Sequence, residues 1–410
     1  MSPTDRVVSP PSPALIDGSG QVLHLVRSGQ AHTVSEMAAA MGVARSTILQ
    51  RLGFLRDLGL VESEAQATGS RGRPASIARF NARAGVVLAA HLGLTGARAA
   101  VTDLAGKVLA DDFLTIEYAR GPKVLYRKIE RAFVTLLDQV GVDADRVVGV
   151  GVGIPSNFEL KAYARSLGLS GVDWDREYFQ DQLWRQYQVP VLLDLDVNFL
   201  ALAEYRTSWP HAEVLVCVKL GTLIDAALVV NGLPVRGANH LAGELGHLKI
   251  TGSDAPCACG SRGCLDAVAS GSALVRQLVE AGHDVDHVSQ VVQLANDGDP
   301  DAVHLIREAG RRIGDALSSV VNLLNPAVIS TWGYLTEADS LLAGIRESLY
   351  QSALPGSSEH LDLVSTALDD LAGVRRTAML VIDEVLAPQA VDRMIFSGTW
   401  TVPNPVFSAG

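Results

Sequence analysis

Residues 243–266 contain the most informative stretch of the chain: Gly243-Glu244-Leu245-Gly246-His247 and, further on, Cys257-Ala258-Cys259-Gly260-Ser261-Arg262-Gly263-Cys264-Leu265-Asp266. Three thiols and one imidazole in so short a segment form a ligand set typical of tetrahedral Zn²⁺. A site filled by four protein ligands is structural, because no coordination position remains for an activated water. We therefore predict one structural zinc ion per chain, held in a loop over residues 247–264 by His247, Cys257, Cys259 and Cys264.

The fourth cysteine of the chain lies outside this cluster. Cys217 lies in an apolar stretch and is expected to be inert packing. In a long chain without an export signal, clustered thiols are more often a metal site than a disulfide framework, although reduced thiols in a loop are the alternative. No stretch reaches the roughly 18 apolar residues that a membrane helix needs. The sequence therefore predicts a cytoplasmic protein with no membrane partner.

The sequence on both sides of the loop has an α/β pattern, in which apolar strands end near Gly and helices follow. Strands are expected at residues 85–94, 98–103, 146–154, 189–195, 214–219, 225–230 and 327–331. The pair at 214–219 and 225–230 is expected to be a hairpin closed by Asn231-Gly232, a strong turn signal. No short internal repeat is evident. This alternation predicts an α/β fold with ligands at the sheet edges.

Residues 20–83 have the pattern of a winged helix-turn-helix. Two helices, over residues 34–41 and 44–58, are expected to meet at Gly42, which supplies a tight turn. The second helix buries one apolar face of Ile48, Leu52 and Leu55. Its opposite face offers groups suited to phosphates and to base edges in a major groove, namely Arg45, Ser46, Thr47, Gln50 and Arg51.

A wing is expected after the second helix. Its tip carries Arg71 and Arg73 on a slim Gly/Pro backbone, which suits a narrow minor groove. Residues 20–83 hold eight Arg, no Lys and four acidic residues, a net charge of +4, whereas the whole chain carries −11. A basic module on an acidic body favours double-stranded operator DNA as a partner, with a small protein-interaction domain as the alternative. The Pro- and Ser-rich residues 1–19 are predicted to be a disordered leader.

The motifs of residues 243–266 resemble the hallmark of the ROK family (repressors, open reading frames and kinases), Gly-Glu-x-Gly-His followed by Cys-x-Cys-Gly-x-x-Gly-Cys-x-Glu. The resemblance runs from Gly85 to about Leu386, and ROK repressors also carry an N-terminal winged helix. It implies a winged helix-turn-helix followed by a two-lobed actin/hexokinase-like domain over residues 84–410. The implied role of that domain is to sense a sugar or sugar phosphate.

The resemblance also implies roles for individual residues. Glu244, His247 and Asp266 stand where the family's kinases surround the sugar hydroxyls, and Asp196 stands at the position of the catalytic base. Two positions depart from the family pattern. Asp266 replaces a longer Glu, and Leu195 replaces an Asn that holds the sugar.

The phosphate-binding segments depart further. His91-Leu92-Gly93-Leu94-Thr95 replaces Asp-x-Gly-x-Thr, residues 221–227 (Gly-Thr-Leu-Ile-Asp-Ala-Ala) replace a Gly-rich loop, and Trp332-Gly333 replaces Gly-Gly. Side chains then stand where only Gly lets the backbone approach a phosphate. We therefore predict no catalytic residue, with Asp196 a vestigial base.

The leading hypothesis is a sugar-responsive repressor of carbohydrate metabolism without kinase activity. It is expected to act as a homodimer or homotetramer, because two-fold operators need paired readers. The alternatives are an ATP-dependent sugar kinase with a DNA-binding head, and a constitutive repressor whose cleft senses a partner protein.

Overall fold

The computed structural model describes residues 16–65, 76–94, 96–155, 176–366 and 371–398. They form a small N-terminal head and two α/β lobes. The head comprises three helices and two wing strands: α1 Ser19–Arg27, α2 Val34–Met41, α3 Arg45–Asp57, β1 Val61–Ala65 and β2 Ser76–Phe80.

The helix-turn-helix forms as predicted. A capping box starts α2, in which the Thr33 hydroxyl accepts from the Glu36 N–H and the Glu36 carboxylate accepts from the Thr33 N–H. Gly42 ends α2 with φ of +66°, a left-handed conformation that favours Gly. The wing strands β1 and β2 pair antiparallel, with Val61 opposite Phe80. The head is therefore a winged helix-turn-helix.

The first lobe is one mixed sheet with its helices. Its elements in chain order are β3 Val86–Leu92, β4 Gly96–Asp103, β5 Val108–Thr115, α4 Pro122–Val140, β6 Val147–Ile154, α5 Arg176–Tyr187, β7 Val191–Leu195 and α6 Asp196–Ser208. The strand order is β5-β4-β3-β6-β7. Strands β3 to β5 form an antiparallel meander, whereas β6 runs parallel to both β3 and β7.

The second lobe repeats this topology. Its elements are β8 Val214–Leu220, β9 Ile224–Val230, β10 Leu233–Pro234, α7 Asp266–Ala269, α8 Gly271–Glu280, α9 Val288–Asn296, α10 Pro300–Leu324, β11 Val328–Trp332, α11 Asp339–Ser352, α12 Pro355–Ser358 and β12 Asp362–Ser365. The strand order β10-β9-β8-β11-β12 matches that of the first lobe, with β11 parallel to β8 and β12. The two-lobed α/β architecture is thus confirmed, although the duplication leaves no short repeat in the sequence.

One turn differs from the sequence expectation. Asn231-Gly232 joins β9 to β10 instead of closing the β8–β9 hairpin. The β8–β9 hairpin is closed by residues 221–223, where the Gly221 N–H donates to the Leu223 carbonyl at 3.1 Å. The Asn-Gly signal marked a real hairpin turn, but the following strand was too short to be recognised.

The chain then returns to the first lobe. Helix α13 (Ala372–Val385) packs on α6 and on strands β3 and β6. Two glycines of β6 permit this close approach, because a Cβ at Gly149 would lie 2.6 Å from Val381, and one at Gly151 would lie 2.7 Å from Thr377. The last helix, α14 (Pro388–Ser397), packs against α1 of the head.

Residues 16–19, which lead into and start α1, correct the predicted leader. Residues 16–19 are folded, and Ile16 is 2% exposed. The Gly18 and Gly20 N–H groups donate to the Asp392 carboxylate of α14 at 3.0 and 2.8 Å. The backbones approach so closely that a Cβ at Gly20 would lie 2.0 Å from the Pro388 carbonyl oxygen. These contacts fasten the head to the C-terminal helix; residues 1–15 lie outside the described part of the chain.

The apolar core continues from the head into the first lobe, while the second lobe has a core of its own. Among the helices that the structure describes, none combines the length and apolar character needed to cross a membrane.

Candidate metal centre, interlobe cleft and DNA-reading face

The structure brings the four predicted metal ligands together. The ligand atoms of His247, Cys257, Cys259 and Cys264 all lie within 4.8 Å of one another. Cys257 Sγ lies 3.8 Å from His247 Nδ1, and Cys259 Sγ lies 3.8 Å from Cys264 Sγ. Tetrahedral zinc with Zn–S bonds of about 2.3 Å places neighbouring sulfurs about 3.8 Å apart. The cluster can therefore hold a metal ion.

The loop reaches this geometry through two turns. Gly260 and Gly263 adopt φ of +87° and +71°. A Cβ at Gly263 would lie 2.5 Å from the Ser253 carbonyl oxygen, so this position requires Gly. The Cys257 N–H donates to the Ser261 carbonyl at 2.9 Å, and Lys249 Nζ lies 3.2 Å from Cys264 Sγ. Burial opposes the shift, but the Ser261 N–H, the neighbouring thiols and the Lys249 charge lower the pKa of Cys259 and so favour its thiolate, the form that binds metal, whereas burial raises the pKa of Cys257.

His247 joins the cluster to Glu244. Its Nδ1 faces the thiols, while its Nε2 lies 3.6 Å from Glu244 Oε2. Metal-bound imidazoles commonly use their second nitrogen in this way. Glu244 and His247 are therefore adjacent, as expected of residues in one motif.

Asp266 lies against the same motif, since a Cβ at Gly246 would lie 3.3 Å from the Asp266 Cβ. It is 6% exposed, and its Oδ1 accepts from the Ile224 N–H at 3.0 Å. Burial raises its pKa to about 7, against the opposing effect of the Ile224 hydrogen bond. The carboxylate thus fastens the turn between β8 and β9.

Asp196 lies in a charge cluster between the lobes. It is the first residue of α6 and is fully buried. Its Oδ2 is ion-paired with Lys219 of β8, in the other lobe, and lies 3.7 Å from His91 Nε2. Burial lowers the pKa of Lys219, but the charges of Asp196 and Asp225 outweigh it and raise the pKa on balance. The carboxylate predicted to be a vestigial base is therefore paired with a charged lysine.

A second ion pair also joins the lobes. Arg236, after β10, donates two hydrogen bonds to Asp194 Oδ2 at 3.0 and 2.7 Å. The Asn198 amide donates to Asp194 Oδ1 at 2.8 Å. Sequence reasoning missed Lys219 and Arg236, because each meets its partner only when the two lobes close on each other.

A cavity of about 400 Å³ opens beside this cluster. His91 and Arg98 line it from the first lobe, and Lys219, Asp225 and Trp332 line it from the second. The His91 and Trp332 rings pack edge to face with their centroids 6.0 Å apart. The three segments that differ from the phosphate loops of the kinases, residues 91–95, 221–227 and 332–333, all contribute lining residues to this cavity. Glu244, His247 and Asp266 are not among its described lining residues.

The exposed face of α3 carries most of the predicted DNA-contacting residues. Arg45, Ser46 and Gln50 are exposed and Thr47 is half-buried, opposite the buried Ile48, Leu52 and Leu55.

Arg51 corrects the prediction. It is 9% exposed and packs beneath the start of α1, where a Cβ at Gly18 would lie 2.9 Å from its guanidinium. The folded segment 16–19 covers it, which helix periodicity alone does not reveal. Arg71 and Arg73, predicted at the wing tip, lie outside the described residues.

Known proteins resemble both parts of the chain. The ROK family model matches residues 87–384, and the model of bacterial regulatory proteins of the arsR family matches residues 21–63. The xylose repressor of Caldicellulosiruptor bescii is 22% identical over 381 residues, covering 89% of this chain and 95% of the repressor.

Two solved structures extend the comparison. One, a ROK family transcriptional regulator homologous to the Escherichia coli MLC protein, has a TM-score of 0.75 and 25% identity, covering 94% of this chain and all of its own. A ROK family glucokinase from Streptomyces griseus, in complex with glucose and AMPPNP, has a TM-score of 0.60 and 25% identity, covering 72% of this chain and 99% of its own. Because the family match runs through both lobes and the loop of residues 247–264, the chain belongs to the ROK family.

Proposed function

We propose that this protein is a DNA-binding transcriptional repressor whose two-lobed domain senses a sugar. The observation that carries the proposal is the exposed polar face of α3, with Arg45 and Gln50, on a winged head that is docked on the sugar-kinase-like fold. The similarity to the xylose repressor extends over nearly the full length of both chains, head included. Operator DNA is therefore the proposed macromolecular partner, with Arg71 and Arg73 of the wing as further contacts.

We further propose that the domain does not phosphorylate its ligand. A general base must be free to take a proton from the attacking hydroxyl. Asp196 is instead fully buried and ion-paired with Lys219. The side chains of Leu223 and Asp225 stand in the segment that would have to wrap a triphosphate.

The metal proposed for the His/Cys₃ cluster is one structural Zn²⁺ per chain. His247, Cys257, Cys259 and Cys264 would supply all four ligands, so the ion would stabilise the loop without activating a water. Through His247 it would also orient Glu244, which is 3.6 Å away. We also propose that Glu244 and His247 contact the sugar, which is the role that the family motif implies for them.

The proposed assembly is a homodimer or homotetramer in the cytoplasm. One head presents a single α3, and a two-fold operator presents two half-sites about one helical turn apart. Paired heads allow a sugar-induced change in their spacing to alter operator affinity.

The test measures operator affinity in the presence and absence of sugars. A labelled fragment of the DNA upstream of the gene is titrated with the full chain, with and without D-xylose, D-glucose or N-acetyl-D-glucosamine. We expect specific binding that one of these sugars changes at least about fivefold, the lower end of typical allosteric coupling. Absence of any DNA binding at low salt, or ATP-dependent phosphorylation of a hexose by the purified chain, would contradict the proposal.

A further inference from the structure

Helix α3 carries an exposed leucine on its outer surface. Leu49 is 53% exposed, whereas the other large apolar side chains among the described residues of the head are buried or half-buried. Its neighbours Ile48 and Leu52 belong to the core. A single exposed leucine is ordinary on a protein surface, but this one lies in the helix that is proposed to enter the major groove.

The polar face of α3 borders Leu49 directly. Arg45 and Ser46, four and three positions earlier, are exposed, and so is the adjacent Gln50. Residues three and four positions apart are neighbours on a helix surface, so Leu49 can reach DNA together with these side chains. The first turn of α3, which the structure describes in full, contains no acidic residue that would repel a phosphate.

Gly53 lies one turn after Leu49 and leaves open space beside it. A Cβ added at Gly53 would meet no neighbouring group within 4 Å, and its φ is not positive, so neither packing nor backbone conformation requires Gly there. Gly weakens the interior of a helix relative to Ala. The missing side chain lets this side of α3 approach a duplex closely, which brings Leu49 within reach of the base edges.

The leucine side chain suits one base in particular. In the major groove only thymine presents a methyl group, at C5, whereas adenine, guanine and cytosine present hydrogen-bond donors and acceptors. Leucine can neither donate nor accept a hydrogen bond, so polar base edges covered by it would lose water without gaining a partner. Contact with the thymine methyl group instead removes apolar surface from water.

We propose that Leu49 is a specificity-determining residue that contacts the C5 methyl group of one thymine in each operator half-site. The inference rests on the proposed function, since it names a base that the DNA-binding face reads. Recognition at this position then depends on an apolar contact, whereas recognition by Arg45 and Gln50 depends on hydrogen bonds and charge.

The test replaces thymine by deoxyuridine, which lacks the methyl group but keeps the same hydrogen-bonding groups. Duplexes that the full chain selects from a randomised pool, long enough for two half-sites one helical turn apart, define its operator. Each thymine of that operator is then replaced in turn, and affinity is measured by fluorescence anisotropy. We expect one position in each half-site where the replacement weakens binding about fourfold, the effect of burying one methylene-sized group. The factor should be the same at low and moderate salt, because no charge is removed.

Variants of Leu49 show whether this side chain makes the contact. Leu49→Ala should bind the thymine and deoxyuridine duplexes equally at that position, whereas Leu49→Met, which keeps an apolar side chain of similar volume, should retain most of the difference. Leu323→Ala is the matched control, because Leu323 is 83% exposed but lies in α10 of the second lobe. All three variants should melt like the unaltered chain, since both leucines are exposed.

Three results would overturn the inference while leaving the proposed function intact. The first is that no thymine replacement weakens binding, and the second is that Leu49→Ala keeps the full difference between thymine and deoxyuridine. The third is that Leu49→Ala changes the oligomeric state, measured by light scattering, without changing the thymine preference, because Leu49 would then belong to a contact between copies. If the chain binds no duplex even at low salt, the proposed function fails, and this inference fails with it.

Discussion

Arg27 of the head donates a hydrogen bond to Asp383 of α13, with 2.6 Å between Nη2 and Oδ1. The other oxygen of Asp383 accepts from Arg206, near the end of α6, at 2.8 Å. Helix α13 begins at the cavity, where Gly373 and Val374 line the wall, and ends beside the head. One rigid helix of about 20 Å therefore connects the cavity to the DNA-binding head.

Asp383→Asn should weaken this connection. Arg27 and Asp383 have side chains 30% and 33% exposed, so the pair contributes only about 1 kcal/mol or less to stability. We expect nearly unchanged sugar affinity and melting temperature but a smaller effect of sugar on operator affinity, measured by fluorescence anisotropy. Glu347→Gln is the control, because Glu347 also accepts from two arginines but lies in the second lobe. A variant with the full sugar response would exclude Asp383 from the coupling.

Substitution of Arg45 should affect operator binding, whereas substitution of Arg51 should affect thermal stability, although both residues belong to α3. Arg45 is exposed, so Arg45→Ala should weaken operator binding and lower the salt-dependence slope by about one, with an unchanged melting temperature. Arg51 is buried beneath the start of α1, so Arg51→Ala should mainly lower the melting temperature. Paired titrations and thermal melts check both outcomes. Equal losses of DNA affinity in two stably folded variants would contradict this assignment.

Removing one proposed zinc ligand should release the metal. Cys264→Ser leaves three ligands, and we expect the bound zinc, measured by elemental analysis, to fall from about one per chain toward zero. The melting temperature should fall by roughly 5 °C or more. Cys217→Ala is the control, since Cys217 is buried in β8 outside the cluster. Loss of zinc from the control, or its retention in Cys264→Ser, would argue against the four-ligand site.

His91 should make the protein sensitive to acid. Burial lowers its pKa to about 4, with the Asp196 charge opposing and the Lys219 charge reinforcing that shift. Between about pH 6.5 and pH 4 the unfolded chain therefore binds a proton that the folded chain excludes, so stability falls as the pH falls. The full effect is roughly 3 kcal/mol.

His91→Gln should remove this contribution, and chemical denaturation at a series of pH values measures it. The variant should lose less stability than the unaltered chain between pH 6.5 and pH 4. His211→Gln, which alters an exposed imidazole, should keep the original pH profile. Identical profiles for the His91 variant and the unaltered chain would show that His91 is not held neutral in the folded state.

Short-range patterns in the sequence were enough to predict several local features of this structure. The two helices of the helix-turn-helix, predicted over 34–41 and 44–58, and the clustering of His247, Cys257, Cys259 and Cys264 were predicted, because periodicity, turn residues and ligand spacing act over a few neighbouring residues. Contacts between distant segments were decided by the tertiary structure alone. Lys219 neutralises Asp196 only when the lobes meet, and Arg51 becomes buried only when residues 16–19 fold over it. Burial and charge pairing depend on which surfaces face each other, and no local pattern records that.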